Sequence, residues 1–345
     1  MLLAPLFSVH AAFSQQPVAR SSPAAPAIHL DVVVTPKSGL PVANLQQSDF
    51  TVLDNKTPQP ILSFQAVAGD KAPVEVVIVI DAVNASFQTV AYVRGEIDKL
   101  LHANGDRLTQ PVALAFFTDD GIQLQNGFSR DGNAIAGSLD SFTVGLREIN
   151  RSAGFYGAGD RLQLSLKALQ ELITHEAPRP GRKIILWVSP GWPIFSGPRI
   201  EIDKKQEQGI FADIVNWSAE MREGRITLYS IDQLGVDEGL ARTNYYQAFI
   251  KGVDNSSQAE YGNLSLQVLA VQSGGLALTS TGVAAALQEC IDDTKAYYQL
   301  SFAAAPAEGP NEYHHIEVRV AKSGLMARTR QGYYAQPGPG GVPLQ

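Results

Sequence analysis

The stretch Val74-Glu75-Val76-Val77-Ile78-Val79-Ile80-Asp81 decides the fold. A strand with one face in water alternates apolar and polar residues, whereas a nearly unbroken apolar run fits a strand covered on both faces. Residues 87–103 follow, with Val90, Val93, Ile97, Leu100 and Leu101 at helical spacing. Residues 111–117 read as a second strand. The turn Thr118-Asp119-Asp120-Gly121 then leads into a hairpin partner at 122–125.

The alternation continues. A helix is expected over 160–173 and a strand over 184–188, the latter ending in Ser189-Pro190-Gly191. A helix through Ile210, Ile214 and Met221 leads to a strand over 226–231, closed by Asp232. Residues 264–271 form a helix stopped by Ser273-Gly274-Gly275, and a short strand and a helix over 283–291 complete the series. Outside this centre the period is two. Ile28, Leu30, Val32 and Val34 alternate, 50–53 and 61–64 are short strands, and 297–302, 315–320 and 326–334 are strands again.

Alternating strands and helices flanked by strand-only ends predict a doubly wound α/β domain with a mostly parallel sheet, inserted into a small β-sandwich-like domain. The expected divisions are a signal peptide over 1–14, a flexible lead-in over 15–27 and the first part of the β domain over 28–70. The α/β domain covers 71–294, the second part of the β domain 295–335, and a flexible tail 336–345.

The order of these segments resembles the von Willebrand factor A-related family of Acidobacteria and similar bacteria. The residues that carry the resemblance are Asp31-Val32-Val33-Val34 with Asp49-Phe50-Thr51-Val52, Ile78-Val79-Ile80-Asp81, Arg182-Lys183-Ile184-Ile185, Ser273-Gly274-Gly275, Tyr297-Tyr298 and Arg330-Gln331-Gly332-Tyr333-Tyr334. It implies a von Willebrand factor A-like fold and export, and supplies no defined activity. It also implies a place for Mg²⁺ or Mn²⁺ beyond the carboxyl ends of the strands, held by Asp-x-Ser-x-Ser, a Thr from a second loop and an Asp from a third.

This chain departs from that pattern. Asp81 is followed by Ala82-Val83-Asn84-Ala85-Ser86, so apolar side chains stand at both hydroxyl positions, and Pro190 follows Ser189 where the third-loop Asp belongs. The candidate metal residues are therefore Asp81, Asp160 (at the second-loop position) and Ser86, with Asp232 a further acidic neighbour. Alternatively, Asp81 and Ser86 only hold the loop and cap the following helix. Asn84, Trp192, Phe195, Tyr245 and Tyr246 are candidate contacts for a protein or peptide partner, with core packing the competing reading of the aromatics.

The function classes narrow further. A net charge of −7 and a pI near 5.4 argue against a nucleic-acid partner, which needs a concentrated basic surface. Cys290, the single cysteine, excludes an intrachain disulfide and a cysteine-rich zinc site. His314 and His315 are adjacent in a strand and point to opposite faces, so they form no compact metal pair. No Gly-x-Ser-x-Gly elbow, His-Glu-x-x-His or phosphate-cradling loop is present, so no enzyme is expected. The apolar start, Met1 to Ser14, reads as an export signal, and no later run is long enough to span a bilayer. The expectation is an exported protein-binding or adhesion-like module with a degenerate metal site and an unknown ligand. The alternative is a structural component of an envelope assembly without metal dependence.

Overall fold

The computed structural model describes residues 26–69, 74–142, 155–193, 195, 201–233 and 245–337. The expected export signal and most of the lead-in lie outside these residues, as does the end of the tail. In chain order the first elements are β1 (Ala27–Pro36), β2 (Phe50–Asp54), β3 (Thr57–Gln59) and β4 (Ser63–Ala68). The α/β part contains β5 (Val74–Asp81), α1 (Phe87–His102), β6 (Arg107–Thr118), β7 (Gly121–Leu124), β8 (Ser129–Asp131), α2 (Gly132–Ser141), α3 (Phe155–Glu176) and β9 (Arg182–Val188). It continues with α4 (Lys204–Glu223), β10 (Ile226–Asp232), α5 (Leu266–Gln272), β11 (Ala277–Thr279) and α6 (Val283–Asp292). The last strands are β12 (Ala296–Ala303), β13 (Glu312–Val320), β14 (Leu325–Arg328) and β15 (Gly332–Ala335).

A mixed sheet in the order β11-β10-β9-β5-β6-β7 forms the centre. The first five of these run parallel, while β7, and β8 beyond it, pair antiparallel with β6. β5 shows why the run at 74–81 carries no polar stripe. Val76, Ile78 and Ile80 face a cluster with Val90, Ile97 and Leu287 from α1 and α6, and Val77 and Val79 face Leu169, Ile214 and Leu269 from α3, α4 and α5. Period-two alternation thus sends successive apolar residues into two separate cores.

The strands from the two ends of the described chain share sheets. β1 and β4 flank β12 in the order β14-β1-β12-β4, and β2 pairs with β13 in the order β15-β13-β2-β3. The two antiparallel sheets enclose Leu30, Val32, Phe50, Val52, Tyr298, Leu300, Phe302, Ile316 and Tyr333, as facing layers of a sandwich do.

A buried polar hub joins this unit to the central sheet. Asp293, just past α6, accepts from the Tyr229 hydroxyl at 2.7 Å and pairs with Arg328 of β14, and its carbonyl accepts from Arg182 at 3.1 Å. Arg225 forks onto Asp31 of β1 at 2.6 and 3.2 Å. The Ser273-Gly274-Gly275 turn lies beside the hub. A Cβ on Gly275 would stand 1.8 Å from the Leu228 carbonyl oxygen, so only glycine lets α5 return this close to β10.

Three elements of the α/β part differ from the sequence reading. β8 and α2 went unread because Gly132-Asn133-Ala134-Ile135-Ala136-Gly137-Ser138 is dominated by small residues, and only Ile135, Ala136 and Leu139 supply a buried apolar face. Helix α3 begins at Phe155, which puts Asp160 in its second turn rather than at its entry.

Candidate functional site

The chain steps from β5 to β6 on one side of the sheet and later returns to β9 on the other, so the topological switch lies between β5 and β9. Ligands of open α/β sheets collect outside the carboxyl ends at such a point. Asp81 ends β5 there, and Ser189 follows β9.

Asp81 is 1% exposed, and protein donors fill both carboxylate oxygens. Oδ1 accepts from the main-chain N–H of Val83 at 3.0 Å and of Asn84 at 2.8 Å. Oδ2 accepts from Asn84 Nδ2 at 3.0 Å, Trp187 Nε1 at 3.1 Å and the Ser189 hydroxyl at 2.8 Å. Burial pushes the Asp81 carboxyl up from its ordinary value, and the bonds from Asn84, Ser189 and Trp187 pull it back. Asn84 also donates to Ser165 Oγ of α3 at 3.0 Å, tying the β5 loop to the helix on the second face. The sequence reading missed Ser165 because it sits mid-helix, where its hydroxyl donates to the Arg161 carbonyl at 2.8 Å.

The remaining candidates fall in different places. Ser86 caps α1, accepting from the Thr89 N–H at 3.1 Å, with its hydroxyl 2.8 Å from that of Thr89. Asp160 is exposed on α3. Trp192 and Phe195, candidate partner contacts with core packing as the competing reading, are 1% and 7% exposed. Trp192 packs edge-on against Trp187 at 5.3 Å, and Phe195 against Tyr261 at 5.9 Å. Their large apolar area fills the space between the β9 loop and helices α4 and α5, a stronger drive than display at a rim.

Tyr245 and Tyr246 behave differently. They open a short 3-10 helix, Tyr245–Phe249, and both stay half-buried, ring edge to ring face at 6.3 Å. The Tyr245 hydroxyl donates to Gln267 Oε1 at 3.2 Å. Gln267 in turn lies against the β9 loop, since a Cβ on Gly191 would be 2.7 Å from its side-chain nitrogen. The tyrosine pair is therefore moored beside the carboxyl end of β9.

A divalent ion of the Mg²⁺ or Mn²⁺ type needs about six oxygen ligands in near-octahedral array. The residues around Asp81 do not fit one. An amide, an indole and a hydroxyl aim hydrogens at the carboxylate from the space a cation would take, and Val83 and Ala85 bring no side-chain oxygen. The Asn84 Oδ1 oxygen is buried without a donor, a single oxygen where a set is required. Among the described residues, no group of three or more His, Cys, Asp or Glu is placed to hold a metal. No helix among them is long and apolar enough to cross a membrane.

No protein-family model matches the sequence, and no curated protein does. Among solved structures, the chain is similar to proximal thread matrix protein 1 from the mussel byssus, with 11% identity over 67% of this chain and 48% of that one, at a TM-score of 0.38. It is similar to the pilus adhesin SpaC from Lactobacillus rhamnosus GG, with 10% identity over 86% and 49% of the two chains, at a TM-score of 0.37. It is also similar to the SpRpn10 VWA domain, with 11% identity over 65% and 95%, at a TM-score of 0.29. The chain spans about half the length of the thread protein and of the adhesin. The likeness to von Willebrand factor A-like and adhesin domains is distant.

Proposed function

We propose that this protein is an exported, non-enzymatic binding module of the von Willebrand factor A-related family, which holds a protein or peptide at the carboxyl edge of its parallel sheet without an ion at Asp81. The observation that carries the reading is the pairing of a closed Asp81 site with a moored aromatic rim. The half-buried rings of Tyr245 and Tyr246 stand beside the switch point, with Tyr245 anchored through Gln267. Tyrosines held in this way offer large contact area at little entropic cost, as interface anchors do. The apolar segment from Met1 to Ser14 supports export to the periplasm, cell surface or medium, and the acidic balance supports a partner other than nucleic acid.

The test is selection of a displayed random peptide library on the full chain, run in parallel with Mg²⁺ and with chelator. Peptides that bind equally in both and lose at least roughly tenfold affinity for the Tyr245→Ser/Tyr246→Ser variant are the expected result. Binding that needs Mg²⁺, or that ignores the two tyrosines, overturns the reading.

The second reading is a structural spacer in an envelope assembly, in which the Asp293–Arg328 hub would keep the sandwich and the α/β unit in fixed relation. It predicts a stable oligomer indifferent to the tyrosine substitutions.

A further inference from the structure

On the flank of the α/β unit, helices α3 and α4 part to leave a groove of about 600 Å³. It shares no lining residue with the Tyr245–Tyr246 rim. Leu166, Ile210, Trp217, Tyr261 and Leu264 form the apolar part of its lining, and the rest, Asp213 among them, is polar or glycine. Gly209, Asp213 and Trp217 recur every four residues along α4 and so lie in one row facing the groove.

The charges in this groove do not balance. Lys167 and Glu171 pair across one turn of α3 at 3.7 Å. Asp213 is half-buried and makes no hydrogen bond or ion pair among the described residues. Burial alone pushes its carboxyl up from the ordinary value. One turn further on, the Trp217 indole is clamped: its Nε1 donates to Gln170 Oε1, and Gln170 Nε2 donates to Glu220 Oε2 at 3.0 Å. A partly desolvated carboxylate with no counter-charge costs stability, and a fixed aromatic wall beside it is what a cation with an apolar body would contact. The missing side chain at Gly209 keeps the space open, since a Cβ there would meet nothing within 4 Å.

We propose that the α3–α4 groove is a binding site for a small organic cation, a primary or quaternary ammonium carried on an aromatic or aliphatic body. The ammonium faces Asp213, and the apolar body lies against Tyr261 and the exposed edge of Trp217. A volume near 600 Å³ falls in the range of small-molecule clefts rather than of protein interfaces. The unpaired carboxylate selects the sign of the ligand's charge.

The experiment titrates the full chain with phenethylammonium and benzyltrimethylammonium, by calorimetry and tryptophan fluorescence. Neutral 2-phenylethanol and anionic phenylacetate serve as shape-matched controls. The cations are expected to saturate at or below about 10 mM, while the neutral and anionic analogues bind at least roughly tenfold more weakly. Asp213→Asn should weaken cation binding by roughly tenfold or more, leaving the alcohol unchanged. Gly209→Leu fills the groove while improving the helix, so it should abolish binding in a protein that keeps its near-UV circular dichroism. No saturable binding of either cation overturns the proposal. So does an alcohol that binds as well as the cations, or affinity that survives both substitutions.

Discussion

Replacing Asp81 with asparagine separates a hydrogen-bond hub from an ion site. An Asn carbonyl at the Oδ1 position still accepts from the Val83 and Asn84 main-chain N–H groups, now 3.0 and 2.8 Å away. The amide NH₂ then stands where Oδ2 was, facing Asn84 Nδ2, Trp187 Nε1 and the Ser189 hydroxyl. The serine can rotate and accept. The indole and the amide nitrogen have no lone pair to offer, so Trp187 Nε1 is orphaned while Asn84 Nδ2 keeps only Ser165 Oγ. At about 1–3 kcal/mol for the orphaned indole and about 1 kcal/mol for the lost amide bond, the gross loss is about 2–4 kcal/mol. Burial pushes the Asp81 carboxyl up, so removing the charge returns part of this, and a net loss of about 2–3 kcal/mol is expected. Urea unfolding followed by tryptophan fluorescence and near-UV circular dichroism measures it, provided the two transitions coincide. Ser189→Ala, which removes a single donor, should cost about 1 kcal/mol. A metal site has the opposite signature, because an ion at a hundred times its dissociation constant adds about 2.7 kcal/mol to the unmutated protein. Stabilisation of the parent by Mg²⁺ or Mn²⁺ at about that excess, or an Asp81→Asn variant within about 0.5 kcal/mol of the parent, refutes the hub.

Glu96 should control part of the acid limb of stability. Its carboxylate accepts from Lys99 at 2.6 Å and from the Ala284 N–H of α6 at 3.2 Å, where the N-cap Gly282 has no side chain to do so. These two bonds, the Lys99 one first, hold its pKa below the ordinary 4.5. The stabilisation is therefore present above 4.5 and lost as pH falls through the depressed value, so Glu96→Gln should cost about 1 kcal/mol at pH 7 and flatten that limb. Asp81 has the opposite sign: its folded pKa is raised above 3.8, so its contribution is largest in acid and declines as pH rises through the raised value. At the hub, Arg328→Ala leaves Asp293 buried beside Tyr229 without its cation, and should cost about 3–5 kcal/mol in urea unfolding. Adding Asp293→Asn should recover part of that loss; a strictly additive double variant would show that the two groups do not interact.

The architecture was largely legible in the chain because periodicity is a local property. The apolar run at 74–81, the helical spacing of Val90, Val93 and Ile97, and the period-two ends each report how many faces of an element are buried. The absence of hydroxyls at Val83 and Ala85 was also plain from residue types alone. Where periodicity faded, as in the small-residue helix α2, the reading failed with it.

The site was decided in three dimensions. That Trp187, six residues into β9, and Ser189 beyond it reach the Asp81 carboxylate depends on the β5–β9 register, which pairs Val79 with Trp187. Separations of 106 and 108 residues leave no trace in local pattern. The same holds for the burial of Trp192 and Phe195, the mooring of Tyr245 and the open groove beside Asp213. Composition alone determined that Asp81 lacked its usual oxygen partners; only packing decided which hydrogen-bond donors would take their place.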